Sequence, residues 1–193
     1  LKIIPIYTTE KQLIEGVLAE HRTAQKALYD RFSPKMYAVC SRYFRDQSLA
    51  EDMLMEGFLK VFSKLHSFAF QGSFEGWLRK IFVRICLDEL RKSKDFNFSE
   101  PTAAENIAVS ESPLECAVND QIPSIEDLLL EVNSLPLNYR LVFSLYVLDE
   151  YSHQEISSEL GISVAASKVQ LSRARKMLQQ RLEYLKTTHH GKN

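Results

Sequence analysis

Three groups of side chains in this 193-residue chain have types and spacing that could do chemistry, and two of them suit an anion. Lys168, Ser172 and Lys176 recur at four-residue steps, so a helix would set them on one face. Lys80, Arg84 and Arg91 fall within about 40° of one another at helical pitch. Just before them, the stretch SFAFQGSFEGW brings Phe68, Phe70, Phe74 and Trp77 close to that basic stripe. Aromatic faces beside a row of cations suit single-stranded bases, because rings stack on bases while cations follow phosphates. Each ring could equally be core, and at least two of the Phe side chains are expected to be partly buried. The third group is Glu51, Asp52 and Glu56. Paired carboxylates can hold a metal or move protons, but no His cluster, phosphate loop or base-paired nucleophile accompanies them. They read more simply as acids that favour a helix N-terminus. The chemistry on offer is binding rather than catalysis, with no cofactor and no metal implied.

The elements that must position these groups are helices. In YSHQEISSELGISVAASKVQLSRARK, Ser152 and Glu155 have capping-box spacing, and Ile156 and Leu160 share a face. Gly161 supplies the left-handed backbone of a sharp exit, Ile162 can plug the corner, and Ser163 can cap the next helix. In that helix Val164, Leu171, Ala174, Leu178 and Leu182 form an inward stripe. A helix-turn-helix lays such a second helix in the DNA major groove, although a solvated two-helix corner would look similar. The helix bearing Lys80, Arg84 and Arg91 starts at Ser73 or Phe74 and carries Ile81, Phe82, Ile85, Cys86 and Leu90 on the opposite arc. Ser48 and Glu51 form a second capping-box pair, opening an amphipathic helix over 48–65 with Met53, Leu54, Phe58, Leu59, Phe62 and Leu65. Thr9 with Gln12 can cap a first helix, and a long helical stretch spans 22–45 with a break near Ser33-Pro34. Ser124 and Asp127 open a new helical segment, Leu135-Pro136 interrupts it, and 138–149 forms the helix leading into the corner.

Net charge is −1, so overall charge says nothing of nucleic acid, but its distribution does. Between Lys94 and Arg140 there is no Lys or Arg, and residues 96–139 hold eight acids. From Gly161 onward seven basic residues face one acid, Glu183. Residues 95–123, with three prolines and little periodicity, suit a flexible acidic linker. The expected fold is all-α: two small helical domains, 9–94 and 124–187, joined by the linker 95–123, the second ending in the helix-turn-helix. No stretch approaches eighteen consecutive apolar residues, so no membrane insertion is expected. The opening LKIIPIYTTEKQ lacks the order of a signal peptide. Cys40, Cys86 and Cys116 are widely spaced and odd in number, as expected of reduced thiols in a cytoplasmic protein, with Cys86 packed in its helix.

In this order the parts resemble a bacterial sigma factor of the sigma-70 family, in its extracytoplasmic-function (ECF) group. LAEDMLMEGFLKVFSKL resembles the core-polymerase-binding helix. FQGSFEGWLRKIFVRICLDELRK resembles the segment that melts and reads the −10 element, and LPLNYRLVFSLYVLDEYSHQEISSELGISVAASKVQLSRARKML resembles the −35-binding domain. The resemblance implies a non-catalytic transcription-initiation protein whose partners are core RNA polymerase and promoter DNA, with room for an anti-sigma factor. It implies that Asp52, Met55, Glu56 and Leu59 face the polymerase clamp. Phe68, Phe70, Gln71, Ser73, Phe74 and Trp77 would serve a base flipped from the non-template strand, and Lys80, Arg84 and Arg91 its backbone. Ser163, Ala165, Ala166, Lys168, Gln170, Ser172 and Arg173 would approach −35 DNA, with Arg175 and Lys176 nearer phosphate. The acidic linker would run toward the channel that carries nascent RNA. The chain departs from the family pattern in having Met55 where Gln is usual and Arg84 where Asn is usual. It also reads Ala166-Ser167-Lys168-Val169 where Thr-Val-Lys-Ser is common, so two hydroxyls that could contact DNA are missing. The competing reading is a helix-turn-helix regulator whose N-terminal helical domain binds a ligand or partner, which would need neither the aromatic loop nor Lys80, Arg84 and Arg91. A helical enzyme is disfavoured by the missing catalytic constellation.

Overall fold

A computed structural model of the chain describes residues 7–92 and 125–189, with side chains described at 7–92 and 128–183. The chain forms two compact units, Leu1–Lys94 and Asp95–Asn193, and every described element is helical. The first unit contains α1 (Glu10–Leu18), α2 (Arg22–Tyr43), α3 (Gln47–Lys64), a 3-10 turn (Leu65–Ser67) and α4 (Phe74–Lys92). The second contains α5 (Ile125–Ser134), α6 (Leu137–Phe143) running on as a π-helical turn (Ser144–Leu148), α7 (His153–Leu160) and α8 (Val164–His189). The acidic linker 95–123, Cys116, Ser124 and the side chain of Asp127 lie outside the described residues.

Capping sets most of the starts. Thr9 Oγ1 accepts from the Gln12 amide at 3.2 Å while the Gln12 side chain accepts from the Thr9 amide at 3.3 Å, so the expected capping box opens α1. At α3 the expected Ser48–Glu51 box does not form. Asp46 is the cap instead, its Oδ1 accepting from the amides of Ser48 at 2.8 Å and Leu49 at 3.3 Å. A carboxylate is a stronger acceptor than a hydroxyl and suits the positive helix end. Ser48 therefore lies inside the first turn, and Glu51 accepts from Gln47 Nε2 at 2.9 Å.

The break near Ser33-Pro34 is also absent: α2 is continuous through Pro34. Pro34 is exposed, so the carbonyl it leaves unpaired can turn to water. Leu28 and Phe32 before it, and Met36, Val39 and Cys40 after it, are all buried. That packing holds both halves of the helix to the same core. Cys86 is buried in α4, as its apolar surroundings suggested.

The core of the first unit is a chain of aromatic contacts. Tyr29 and Phe58 stand 4.7 Å apart, Phe58 and Phe82 meet edge-on at 5.3 Å, and Phe32 meets Phe74 edge-on at 5.4 Å. Phe82 reaches Phe58 by lying over Gly57, where an added Cβ would stand 2.1 Å from Phe82 Cε1. That missing side chain lets α3 and α4 approach closely. In the second unit, Leu135, Leu141, Leu145, Ile156, Leu171 and Leu178 close the core. Arg140, only 5% exposed, donates to the Asn133 carbonyl at 3.0 Å and so satisfies the end of α5 before Pro136 opens α6.

Gly57→Ala is therefore expected to destabilise the first unit by about 1–3 kcal/mol through overpacking. Adding Phe82→Leu should recover part of that loss. Urea unfolding of both variants checks this, and an unshifted midpoint for Gly57→Ala would contradict the close α3–α4 contact.

Candidate nucleic-acid interface

Helix α3 buries Ala50, Met53, Leu54, Gly57, Phe58 and Val61 and turns its other side outward. Asp52, Met55, Glu56 and Leu59 fall within an arc of about 100° on that outer side. All four are exposed, Met55 at 55% and Leu59 at 68%. The sequence stripe had placed Leu59 with the core. The close Gly57–Phe82 packing turns Leu59 to solvent. Lys92, at the end of α4, donates to Glu89 at 2.7 Å. That hydrogen bond and the Glu89 charge raise the Lys92 pKa above its ordinary value, with smaller help from Glu56 and Asp88.

The aromatic loop has a hidden base and an exposed tip. Phe74 is 1% exposed and Phe68 7%, so both are structural supports rather than open faces for a base. Trp77, half-buried, stacks on Phe74 with centroids 5.7 Å apart and planes 17° apart. Phe70 alone of the three phenylalanines stands out, 50% exposed, its ring 5.1 Å from Phe68. Its backbone is left-handed at φ 56°, a conformation uncommon for a bulky residue, and Gly72 follows at φ 84°. Ser73 caps α4, its Oγ accepting from the Gly76 amide at 3.2 Å, and Gln71 is exposed.

Along α4, Lys80, Arg84 and Arg91 are exposed opposite the buried Leu78, Phe82, Ile85 and Cys86. Arg91 pairs with Asp88. Among the described residues neither Lys80 nor Arg84 forms an ion pair. One link was invisible to pattern reading: Glu75 bridges Lys35 of α2 at 2.5 Å and Arg79 at 3.3 Å, fastening the loop end of α4 to α2. Nothing in the spacing of residues 35 and 75 announces that contact.

The helix-turn-helix is assembled largely by polar contacts. Ser152 and Glu155 form the expected capping box, and Gly161 adopts φ 68°. Ser157 Oγ donates to the Ile162 carbonyl at 2.6 Å, Ile162 is buried, and Ser163 Oγ accepts from the Ala166 amide at 3.0 Å. His153 Nδ1 lies 2.9 Å from Ser167 Oγ, joining the start of α7 to α8. The His153 ring stacks on Tyr146 at 4.5 Å, and the Arg175 guanidinium lies 5.8 Å from the Tyr146 centroid on the same ring system.

Helix α8 buries Ala166, Ser167, Gln170, Leu171, Ala174 and Leu178. Ala166 and Gln170 therefore point inward, at 5% and 2% exposure, and do not join the DNA-facing set that the family resemblance implied. Helical pitch puts both on the same side as Leu171 and Ala174, which explains the correction. Val164, expected in the inward stripe, is only half-buried. The side away from the core holds Ala165 and Lys176, both exposed, with Lys168, Ser172, Arg173 and Arg175 half-buried beside them, and also half-buried Val169, which the sequence reading passed over. Counting about 100° per residue from Leu171 and Ala174 would have found it. Ser163 lies exposed before the helix.

Among the described residues no group of three or more His, Cys, Asp or Glu could hold a metal, and no helix is long and apolar enough to cross a membrane.

Comparison with known proteins adds the following. Residues 28–96 match the family described as Sigma-70 region 2, and residues 125–178 match Sigma-70, region 4. The chain is 28% identical over 182 residues to the ECF RNA polymerase sigma factor SigW of Bacillus subtilis, covering 91% of this chain and 97% of that protein. It is 26% identical over 184 residues to the ECF sigma factor SigM of Mycobacterium tuberculosis, covering 93% and 87% respectively. Among solved structures, the sigma factor RpoE bound to the anti-sigma factor NepR from Bartonella quintana is 21% identical, spanning 82% of this chain and 96% of that one, with a TM-score of 0.49.

Ser167→Ala removes the partner of His153 Nδ1 and should lower the thermal stability of the second unit by about 1 kcal/mol. The measurement is a melting curve of the full chain followed by His153 and Tyr146 resonances. Unchanged melting together with unchanged His153 shifts would show that the bond contributes nothing.

Proposed function

The chain belongs to the sigma-70 family of RNA polymerase sigma factors, in its ECF group, and from that membership we propose how its surfaces divide the work. As a sigma factor it binds core RNA polymerase and recognises promoter elements through its region 2 and region 4 segments, with no chemistry of its own. The observation that carries the polymerase assignment is the outer face of α3. Met55 and Leu59 are exposed on an otherwise well-packed unit, between the carboxylates of Asp52 and Glu56. An exposed apolar pair rimmed by charge is a protein-docking surface. Its partner is a basic, partly apolar segment of the polymerase clamp. An anti-sigma factor that kept the chain off polymerase would have to cover this face.

The two other surfaces take DNA in different states. Phe70, held out by its left-handed backbone and backed by Phe68, offers a ring to an unpaired base of the −10 element. Lys80, Arg84 and Arg91 follow that strand's phosphates, while Phe68, Phe74 and Trp77 hold the platform rigid. Helix α8 enters the major groove of the −35 element by its N-terminal half. Residues 95–123 tether the two units on polymerase, their acids matching a channel built for RNA. The protein acts where polymerase and chromosome are, in the cytoplasm.

Reversing Asp52 and Glu56 to Lys should weaken association with core polymerase at least tenfold while helical circular dichroism stays the same. A pull-down with undiminished recovery would remove the α3 assignment.

Phe70→Ala or Arg84→Ala should cost promoter opening about 1–3 kcal/mol, the scale of a lost base stack, with little effect on upstream duplex binding. Lys168→Ala should do the reverse and lower the slope of log affinity against log salt by about one. Permanganate reactivity and duplex-binding titrations separate the two. Equal losses in both assays for all three variants would refute the division.

A further inference from the structure

The buried side of α8 narrows what its open side can read. Gln170 is the residue of this segment whose amide could pair with both edge atoms of an adenine in the major groove. It is 2% exposed, turned into the unit beside Leu171. The middle of the side away from the core is instead exposed Ala165 and half-buried Val169, four residues apart, with half-buried Ser172 next along the same line. Lys168 and Arg173 flank that line, about 140° apart around the helix, so each is aimed at a different wall of the groove. Cations at the edges and small side chains at the centre from Ala165 to Ser172 let the first two turns of the helix approach the groove floor closely, with Lys176 standing on the same side a turn further on.

Ala165 and Val169 have no side-chain donor or acceptor. They cannot answer the hydrogen-bonding edges of guanine, cytosine or adenine. The apolar group on the major-groove floor is the C5-methyl of thymine. Val is also stiff at χ1 in a helix, so its two methyls are presented in one orientation without much loss of freedom on binding. We propose that Val169, with Ala165 beside it, makes α8 a reader of thymine methyl groups in the −35 element, Lys168 and Arg173 supplying the phosphate anchors on either side. This specificity rests on the assignment of α8 to −35 duplex made above.

The test uses the full chain assembled with core polymerase and a duplex selected by that holoenzyme from a random −35 pool. Each thymine of the selected element is replaced in turn by deoxyuridine, which removes only the 5-methyl. At the position under Val169 the wild type should lose about fourfold in affinity, the equivalent of about 0.8 kcal/mol for one buried methyl. Val169→Ala should bind less well and be indifferent to that replacement, whereas Val169→Thr, which keeps a methyl, should remain sensitive. Placing 5-methylcytosine at that position in a cytosine-bearing duplex should restore part of the affinity if the methyl itself is read. Salt-sensitive binding of the selected duplex with no deoxyuridine effect above twofold would overturn the methyl reading while leaving the −35 assignment standing. So would identical deoxyuridine sensitivity in wild type and Val169→Ala. Failure of the holoenzyme to select any −35 sequence would defeat both.

Discussion

The contact between Phe82 and Gly57 sets the geometry of the first unit. With no Cβ at position 57, the phenyl ring lies directly on the α3 backbone and still meets Phe58 edge-on. A helix pressed that closely against its neighbour has little rotational freedom, because turning it would drive Leu54 or Val61 out of the core. Its rotation then fixes which residues face away. Met55 and Leu59 are exposed for this reason, not because the core lacked room for apolar side chains. On α4 the same contact turns Phe82 inward and leaves Lys80 and Arg84 outward. One absent methyl group thus orients both an apolar, acidic surface and a basic one.

The second unit is held differently. Its corner carries hydrogen bonds at two helix starts, Ser152 with Glu155 and Ser163 with the Ala166 amide, and one in the turn between them, Ser157 with the Ile162 carbonyl. His153 and Ser167 then tie the first helix of the corner to the second. Bonds of this kind contribute about 1 kcal/mol each, but they are directional, so they specify an angle between helices better than apolar packing does. A helix that is to read bases depends on that angle, because its rotation sets which of Val169 and Gln170, about 100° apart, is turned away from the core.

Much of this was legible in the sequence. The helices, the capping boxes at Thr9 and Ser152, the left-handed Gly161 and the basic stripe of α4 all follow from local chemistry, and local chemistry is what a sequence displays. The misreadings have two sources, a stronger local cue passed over and packing that no local pattern shows. Ser48 looked like a cap because its spacing to Glu51 was right, but Asp46 sat two residues earlier with a better acceptor. Pro34 looked like a break because its local cost is real, but buried residues on both sides outweighed it. Ala166 and Gln170 were expected toward DNA because the family resemblance implied it, whereas the helix period puts them inside. Phe68 and Phe74 are buried, in keeping with the expectation that at least two of these rings pack inward, and the contact of Phe74 with Phe32 is one that no short-range pattern encodes. Packing against the rest of the unit decided Pro34 and Phe74, whereas Asp46 and the period of α8 were local cues that a closer count would have used.

The charge pattern gains meaning once the faces are known. A net charge of −1 would make a poor nucleic-acid binder if it were spread evenly. It is not: the acids of α3 share a face with exposed Met55 and Leu59, the cations of α4 stand exposed on the helix that follows the Phe70 loop, and those of α8 lie beside Val169. On the division of surfaces proposed above, each face would repel the partner that belongs to another: Asp52 and Glu56 would keep DNA off α3, and Lys80 and Arg84 would keep a basic protein segment off α4. Discrimination of this kind works by penalising the wrong contact as well as favouring the right one. It also explains why overall charge was the least informative quantity in the sequence: a protein that must hold a basic partner and an acidic one at once is best served by opposite charges that are separated in space and cancel in the sum.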